Sequence, residues 1–318
     1  MVSQKNITGN LLPPIPILTG TTASGKTGLG IEFALSHGNM EIINADSLLV
    51  YRGMSIGTAK PTLPERRNVP HHLIDICEPS ESFNAGDFVK RTHEAIQDIQ
   101  KRGRKPLILG GTGFYLKALI LGLWDAPKTD PEVRRALEAR SIEENFSRLS
   151  QKDPDTALRI GKNDHYRIIR ALEIIEISGK TPTFLEAAQK TQAPHHYEVW
   201  ILDRPEEELR KRIHTRSVQM IEAGLIDEVQ SIRTKCPGSR ALGSVGYRQV
   251  CSYLDGTEPE GRKIKPGIEG LLGEIELATR QLVKKQRTWF RGQIDATWYE
   301  MEKDFPLLQA RFKEIYPT

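Results

Sequence analysis

The sequence predicts an α/β fold, a parallel sheet flanked by helices and interrupted by an inserted all-helical subdomain. Two observations carry this reading. In the first third of the 318 residues, short apolar runs alternate with amphipathic stretches, the pattern of a parallel sheet wrapped by helices. Between about residues 127 and 194 that alternation stops. No β-branched run occurs there, and the segments after Asp130-Pro131, Asp164 and Thr181-Pro182 open with helix-start residues.

The strand candidates of the first third are residues 15–18, 41–45, 73–76 and 107–109, each followed by glycine, aspartate or another polar residue. Open α/β sheets bind ligands beyond the carboxyl ends of their strands, so the loops after these runs are the candidate site. A fifth run at 198–202 (EVWIL) and a short one at Thr297-Trp298-Tyr299 return after the helical stretch. The expected organisation is therefore a core of residues 1–126 and 195–318 around an insertion of residues 127–194.

Composition excludes several classes. No apolar run approaches the roughly 18 residues that a membrane span needs. Residues 1–14 carry one lysine and no apolar stretch of signal-peptide length, so the expected location is the cytoplasm, away from any membrane. Cys77, Cys236 and Cys251 are too far apart for a Cys-x-x-Cys zinc pair and form no disulfide framework. A formal charge of +4, from 45 basic and 41 acidic residues, names no partner, so local clusters must do so.

Residues 20–27 (GTTASGKT) satisfy G-x-x-x-x-G-K-[ST] between an apolar strand and a helix-compatible stretch, which makes the predicted sheet P-loop NTPase-like. Glycines let successive backbone N–H groups curl around a polyphosphate, and the helix N-terminus adds a positive dipole. Gly20, Thr22, Ala23, Ser24, Gly25, Lys26 and Thr27 are the expected diphosphate cradle, with Lys26 as a point charge and the Thr27 hydroxyl as a magnesium ligand. Backbone amides recognise a diphosphate wherever it is attached, so the motif leaves the compound open.

Asp46 follows the second strand beside this loop. A carboxylate there repels a diphosphate unless it binds magnesium or serves as a base; the plainer alternative is a cap on the following turn. Asp75 is an alternative acid on the magnesium side, or a turn residue. Thr112, in Gly110-Gly111-Thr112-Gly113 after the fourth strand, offers a hydroxyl to the same crevice or simply makes a tight turn.

Residues 279–291 (TRQLVKKQRTWFR) hold five cations and no acid. At about 100° per residue, Arg280, Lys284, Arg287 and Arg291 share one helix face, with Ile275, Ala278, Leu282 and Trp289 opposite. An unrelieved positive stripe favours a polyanion partner over a solvated face. A second cluster, Tyr166-Arg167-Ile168-Ile169-Arg170, opens a helix in the insertion, and the two together suggest nucleic acid held by two parts of the chain.

These residues resemble the tRNA dimethylallyltransferases, or tRNA isopentenyltransferases. Besides the phosphate loop, the resemblance is carried by NADSLLVYRGMSIGTAKP at 44–61, VPHHLID at 69–75, FNAGDFV at 83–89 and GGTGFYLKAL at 110–119. It continues with DPEVR at 130–134, DHYRIIRALE at 164–173, VGYRQ at 245–249 and the 279–291 segment. The resemblance implies transfer of a dimethylallyl group from dimethylallyl diphosphate to the N6 amine of adenosine 37, beside the anticodon, in tRNAs reading codons that begin with U.

It implies Asp46 as general base, Thr112 positioning adenine and base, and Arg216 as a further diphosphate contact. It also implies contacts to the tRNA anticodon stem-loop from Asp46, Ser47, Leu48, Leu49, Thr112, Arg134, Tyr166, Arg167, Ile168, Ile169 and Arg170. Gly243, Ser244, Val245, Gly246, Tyr247, Arg248, Lys284, Lys285, Gln286, Arg287, Thr288, Trp289, Phe290 and Arg291 complete that surface, and the positive stripe adds Arg280. The implied cofactor is Mg2+ on Thr27, and the expected state is a monomer. The family commonly has proline where Thr21 stands and Lys-Arg-Gln where Lys284-Lys285-Gln286 stands, and in some relatives a bulkier residue occupies the place of Gly113. The 240–244 stretch is the least typical.

Three other readings fit parts of the sequence. A small-molecule kinase using ATP explains the phosphate loop but leaves the positive stripe idle, as does an adenylate isopentenyltransferase acting on a free nucleotide. A non-catalytic RNA-binding module has no use for Asp46 beside a phosphate loop.

Overall fold

The computed structural model describes residues 13–124, 126–188, 194–258 and 263–317. Most of the leader reading, residues 1–12, and residues 189–193 of the expected insertion lie outside that range. The chain divides into two compact units, residues 1–120 with 194–318, and residues 121–193.

In the first unit the chain runs β1 (Ile15–Gly20), α1 (Lys26–His37), β2 (Met40–Asn44), α2 (Leu63–Arg66), β3 (His71–His72), α3 (Ala85–Lys101), β4 (Lys105–Leu109) and α4 (Gly113–Leu121). The second unit holds α5 (Pro131–Glu138), α6 (Ile142–Lys152), α7 (Pro154–Ile160), α8 (His165–Ser178) and α9 (Pro182–Ala188). The first unit resumes with β5 (Tyr197–Asp203), α10 (Glu206–Glu222), α11 (Leu225–Lys235), a short turn of 3-10 helix at Arg240–Gly243, α12 (Tyr247–Leu254), α13 (Gly267–Gln293), β6 (Thr297–Glu300) and α14 (Phe305–Ile315).

The six strands form one parallel sheet in the order β3-β2-β4-β1-β5-β6. Parallel strands covered on both faces need continuous apolar sequence, and every residue of β1 and β2 is buried. One core layer joins Leu18, Met40, Leu107 and Trp200 to Phe33 and Phe312, whose rings stack at 4.2 Å, so α14 closes the sheet from beneath. Register decides the site: Leu18 pairs with Leu109 and Leu109 with Asn44, so the loops after β1, β2 and β4 leave the sheet side by side.

The third strand departs from expectation. Residues 73–76 form no strand; β3 is only His71–His72, and Leu73 and Asp75 take left-handed φ of 59° and 55°. The chain turns off the sheet there because its amides pair elsewhere, Asp75 N–H with Leu49 O at 3.1 Å and Ile76 N–H with Val50 O at 2.8 Å. Of this run only Leu73 is buried.

The second unit packs Leu137, Leu149, Ile168, Leu172 and Ile175 into its own core. Its helices start where the sequence places caps. Asp130 accepts from the Glu132 and Val133 amides, Asp164 accepts from Arg167, and Pro182 opens α9.

Candidate active site

The loop between β1 and α1 is shaped for an anion. A Cβ on Gly20 would lie 2.3 Å from Leu202 O, so only glycine lets the loop leave the strand there. Gly25, at φ 94°, turns into α1 with no side-chain cap, and the first turn of α1 has no acid. That helix end keeps its amides and positive dipole for a ligand. Lys26 donates from Nζ to Thr21 O at 3.2 Å. Burial brings its ammonium down to about 8, against an upward pull from Asp46 and a downward push from Arg216. Arg216, on α10, donates to Thr58 O at 3.2 Å, and burial lowers its pKa while Asp46 opposes this. Lys26, Arg216 and Asp46 therefore share one electrostatic neighbourhood in which an acid faces two cations.

Two further arginines, absent from the sequence reading, brace the loop from outside. Arg204 donates to Ser24 O and Arg212 to Ala23 O, each at 2.7 Å. Ordinary i,i+4 spacing on α10 puts Arg212 and Arg216 on one face, which is the trace that would have found Arg212.

Asp46 is held by its neighbours. Its amide donates to Asn44 Oδ1, and its own Oδ1 accepts from Leu48 N–H, both at 2.9 Å. The capping alternative is thus met by one oxygen, while no described residue hydrogen-bonds Oδ2. Thr112 Oγ1 accepts from Ser47 N–H at 2.9 Å and donates to Ser47 Oγ at 3.2 Å, and Thr112 N–H reaches Ala45 O. Its hydroxyl thereby ties the loop after β4 to the turn that carries Asp46, and Ser47, Leu48 and Leu49 lie half-buried beside it. Asp75 is committed elsewhere: Lys60 donates to it at 2.5 Å and Arg66 stands 3.8 Å away.

The 55–58 segment is also fixed in a way the sequence did not reveal. The amides of Ser55, Ile56 and Gly57 all donate to the Glu228 carboxylate, which also accepts from Tyr247 Oη at 2.6 Å. Because Thr58 O holds Arg216, Glu228 supports the cationic side of the site.

Helix α13 brings only part of the expected stripe to solvent. Arg280, Lys284, Lys285, Thr288 and Arg291 are exposed or half-exposed, with Arg280 3.9 Å from Glu276 and Arg291 over the Trp298 ring at 5.4 Å. Three residues expected at the RNA are engaged within the protein. Arg287 is bound to Asp203 at 2.8 and 3.0 Å and to Arg204 O at 2.6 Å, Phe290 is 1% exposed, and Gln286 turns inward to the phosphate loop. The packed face is Leu271, Ile275, Ala278, Val283 and Phe290, while Leu282 and Trp289 are half-buried. Trp289 lies over Gly113, where a Cβ would meet its ring at 2.4 Å. It lines a recess of about 180 Å3 with Gly111, Phe114, Lys285 and Gln286.

In the 240–249 segment, Gly243 and Arg248 are exposed and Ser244 is half-buried. Gly246 and Tyr247, both expected at the RNA, are buried, and Tyr247 is bonded to Glu228. In the helical unit, Tyr166 and Arg167 are exposed and Ile169 is half-buried. Ile168 is 0% exposed and belongs to the core. Arg170 is paired with buried Glu173 at 2.7 Å and Pro127 O at 2.6 Å, which withdraws it from a phosphate. Arg134 is largely buried, bound to Glu138 at 3.1 Å and stacked 5.1 Å from the Tyr166 ring centroid.

Among the described residues no group of three or more His, Cys, Asp or Glu side chains could hold a metal. Thr27, the residue expected to hold magnesium, stands on the first turn of α1.

A family model described as IPP transferase matches residues 49–293. The chain belongs to the IPP transferase family. It is 39% identical to tRNA dimethylallyltransferase 1 of Citrifermentans bemidjiense, over 94% of this chain and 96% of that protein. It is 40% identical to the tRNA dimethylallyltransferase of Methylococcus capsulatus, over 91% and 93%. The crystal structure of the full-length tRNA isopentenylpyrophosphate transferase from Bacillus halodurans is similar with a TM-score of 0.66 at 33% identity, covering 95% of this chain and 98% of that one. A eukaryotic dimethylallyltransferase acting on tRNA superposes with a TM-score of 0.78 at 26% identity, covering 94% and 77%. Among the described residues no helix is long and apolar enough to cross a membrane.

Proposed function

We propose that the protein is a tRNA dimethylallyltransferase, moving the dimethylallyl group of dimethylallyl diphosphate to N6 of adenosine 37 in tRNAs that read codons beginning with U. The observation that carries this reading is that Asp46 lies within electrostatic reach of Lys26 and Arg216, beside a phosphate-loop helix with no side-chain cap. The relatives' shared activity on tRNA supports the acceptor.

The exocyclic amine of adenine is a poor nucleophile because its lone pair is delocalised into the ring. As N6 attacks C1 of the allyl group, the C1–O bond breaks and its electron pair leaves with the diphosphate, while Asp46 takes the N6 proton. Lys26, Arg216 and the loop amides meet the departing charge. Magnesium held by Thr27 and the diphosphate would add further neutralisation of that leaving group. Thr112 keeps Asp46 and Ser47 in place as the adenine, flipped from its stack, enters the crevice. Arg280, Lys284, Lys285 and Arg291 on α13, and Tyr166 and Arg167 on α8, are assigned to the RNA. A tRNA acceptor supports a cytoplasmic location.

The test is to incubate the protein with radiolabelled dimethylallyl diphosphate and tRNA, AMP or no acceptor. Label on a tRNA adenosine is expected. Label on AMP instead would favour the adenylate branch, and no transfer with brisk ATP turnover on a small hydroxyl compound would favour a kinase.

A further inference from the structure

The third residue of the phosphate loop has a partner from the far end of the chain. Thr22 N–H donates to Gln286 Oε1 at 2.9 Å, and Gln286 Nε2 donates to Gly111 O at 3.3 Å. One side chain of α13 thus bridges the loop after β1 and the loop after β4. Those loops already touch, since a Cβ on Gly111 would stand 3.2 Å from Gly20 O, 3.5 Å from Lys26 Cε and 3.4 Å from Gln286 Nε2. The bridge demands an acceptor and a donor on one planar group, which an amide has and which neither a carboxylate nor an ammonium supplies. Ala23, the next residue, is held at a left-handed φ of 67°, so the loop sits in a conformation that an L-residue rarely adopts alone. Lys284 is exposed, whereas Gln286 is half-buried against the loop.

We infer that Gln286 is a positioning residue for the diphosphate donor rather than an RNA contact. It pins the mouth of the phosphate loop to Gly111, so that the amides from Ala23 to Thr27 and the Lys26 ammonium meet the diphosphate already in place. Preformed dipoles bind and stabilise charge better than a loop that must first be ordered. The inference rests on the donor assignment made above and adds the element that shapes the donor's site.

The experiment titrates dimethylallyl thiodiphosphate, an unreactive donor analogue, into wild-type protein and Gln286→Met by calorimetry without RNA. Filter binding then measures tRNA affinity. Gln286→Met preserves length and removes both hydrogen bonds. The analogue's Kd and the donor KM should rise on the order of tenfold, the usual scale for lost neutral hydrogen bonds. Turnover at saturating donor should fall by less than about threefold and tRNA affinity should change by less than about twofold, since positioning is lost while the reacting groups remain. Gln286→Ala, favourable on a helix, is the second variant should the methionine fold poorly. Unchanged analogue affinity in the folded variants overturns the inference, as does a loss confined to tRNA binding. Wild-type protein that binds the analogue but transfers nothing to tRNA would refute the proposed reaction and leave the role of Gln286 standing.

Discussion

Removing the charge of Lys284 should weaken tRNA binding in a salt-dependent way, whereas removing that of Arg287, three residues along the same helix, should weaken the fold. Lys284 is exposed and, among the described residues, makes no ion pair, so its ammonium is free to displace a counterion from an RNA phosphate. Each phosphate left without its cation lowers the slope of log affinity against log salt by about 0.7 to 0.9. Arg287 instead keeps Asp203 paired, with side chains 21% and 19% exposed, and caps Arg204 O. Breaking a fully buried pair costs about 3 to 5 kcal/mol. This pair retains some solvent, so Arg287→Met should cost roughly 2 kcal/mol, with most of the loss coming from stranded Asp203. Filter binding of tRNA between low and moderate salt measures the slopes, and urea melts of the same variants measure stability. An Arg287→Met protein that melts like wild type and loses as much salt slope as Lys284→Met would refute the division of the helix into RNA-facing and structural cations.

Asp46→Asn keeps an acceptor for Leu48 N–H but cannot take the N6 proton, so single-turnover transfer should fall on the order of 10²-fold or more while tRNA affinity stays within a few-fold. Near-normal transfer would return Asp46 to capping alone. Lys26 is charged below about 8, so affinity for the donor analogue should decline as pH rises through that value, and Lys26→Arg should push the decline to higher pH. Glu41 lies in the sheet, 2% exposed and ringed by Arg102, Arg104 and His72; hydrogen bonds from Arg102 lower its pKa from 4.5 to about 2. Its stabilisation is therefore complete above about pH 4.5 and lost as pH falls towards 2, and melts of Glu41→Gln should show lower stability at neutral pH with a flatter acid branch.

The parts of this protein that sequence exposes are those whose physics is local. The phosphate loop reads directly because GTTASGKT packs its glycines, its lysine and its hydroxyl into eight consecutive residues, and the caps of α5 and α8 read because Asp130 and Asp164 bond amides two or three residues away. Helical periodicity carries less. It assigns Arg287 and Lys284 to one face of α13, yet an angle says nothing about what that face meets, and Asp203 meets Arg287 there. The same limit hides Ile168 and Arg170, whose helix turns them to a core and to buried Glu173. Long-range polar bonds are the least visible. Gln286 reaches Thr22 and Gly111, and Glu228 reaches the amides of Ser55, Ile56 and Gly57, across separations that no periodicity spans. Each of those side chains answers backbone groups, which carry no residue-type pattern of their own. A site assembled from strand-end loops therefore shows its chemistry in the loop motifs, while the side chains that hold those loops to one another emerge only when the sheet brings them together.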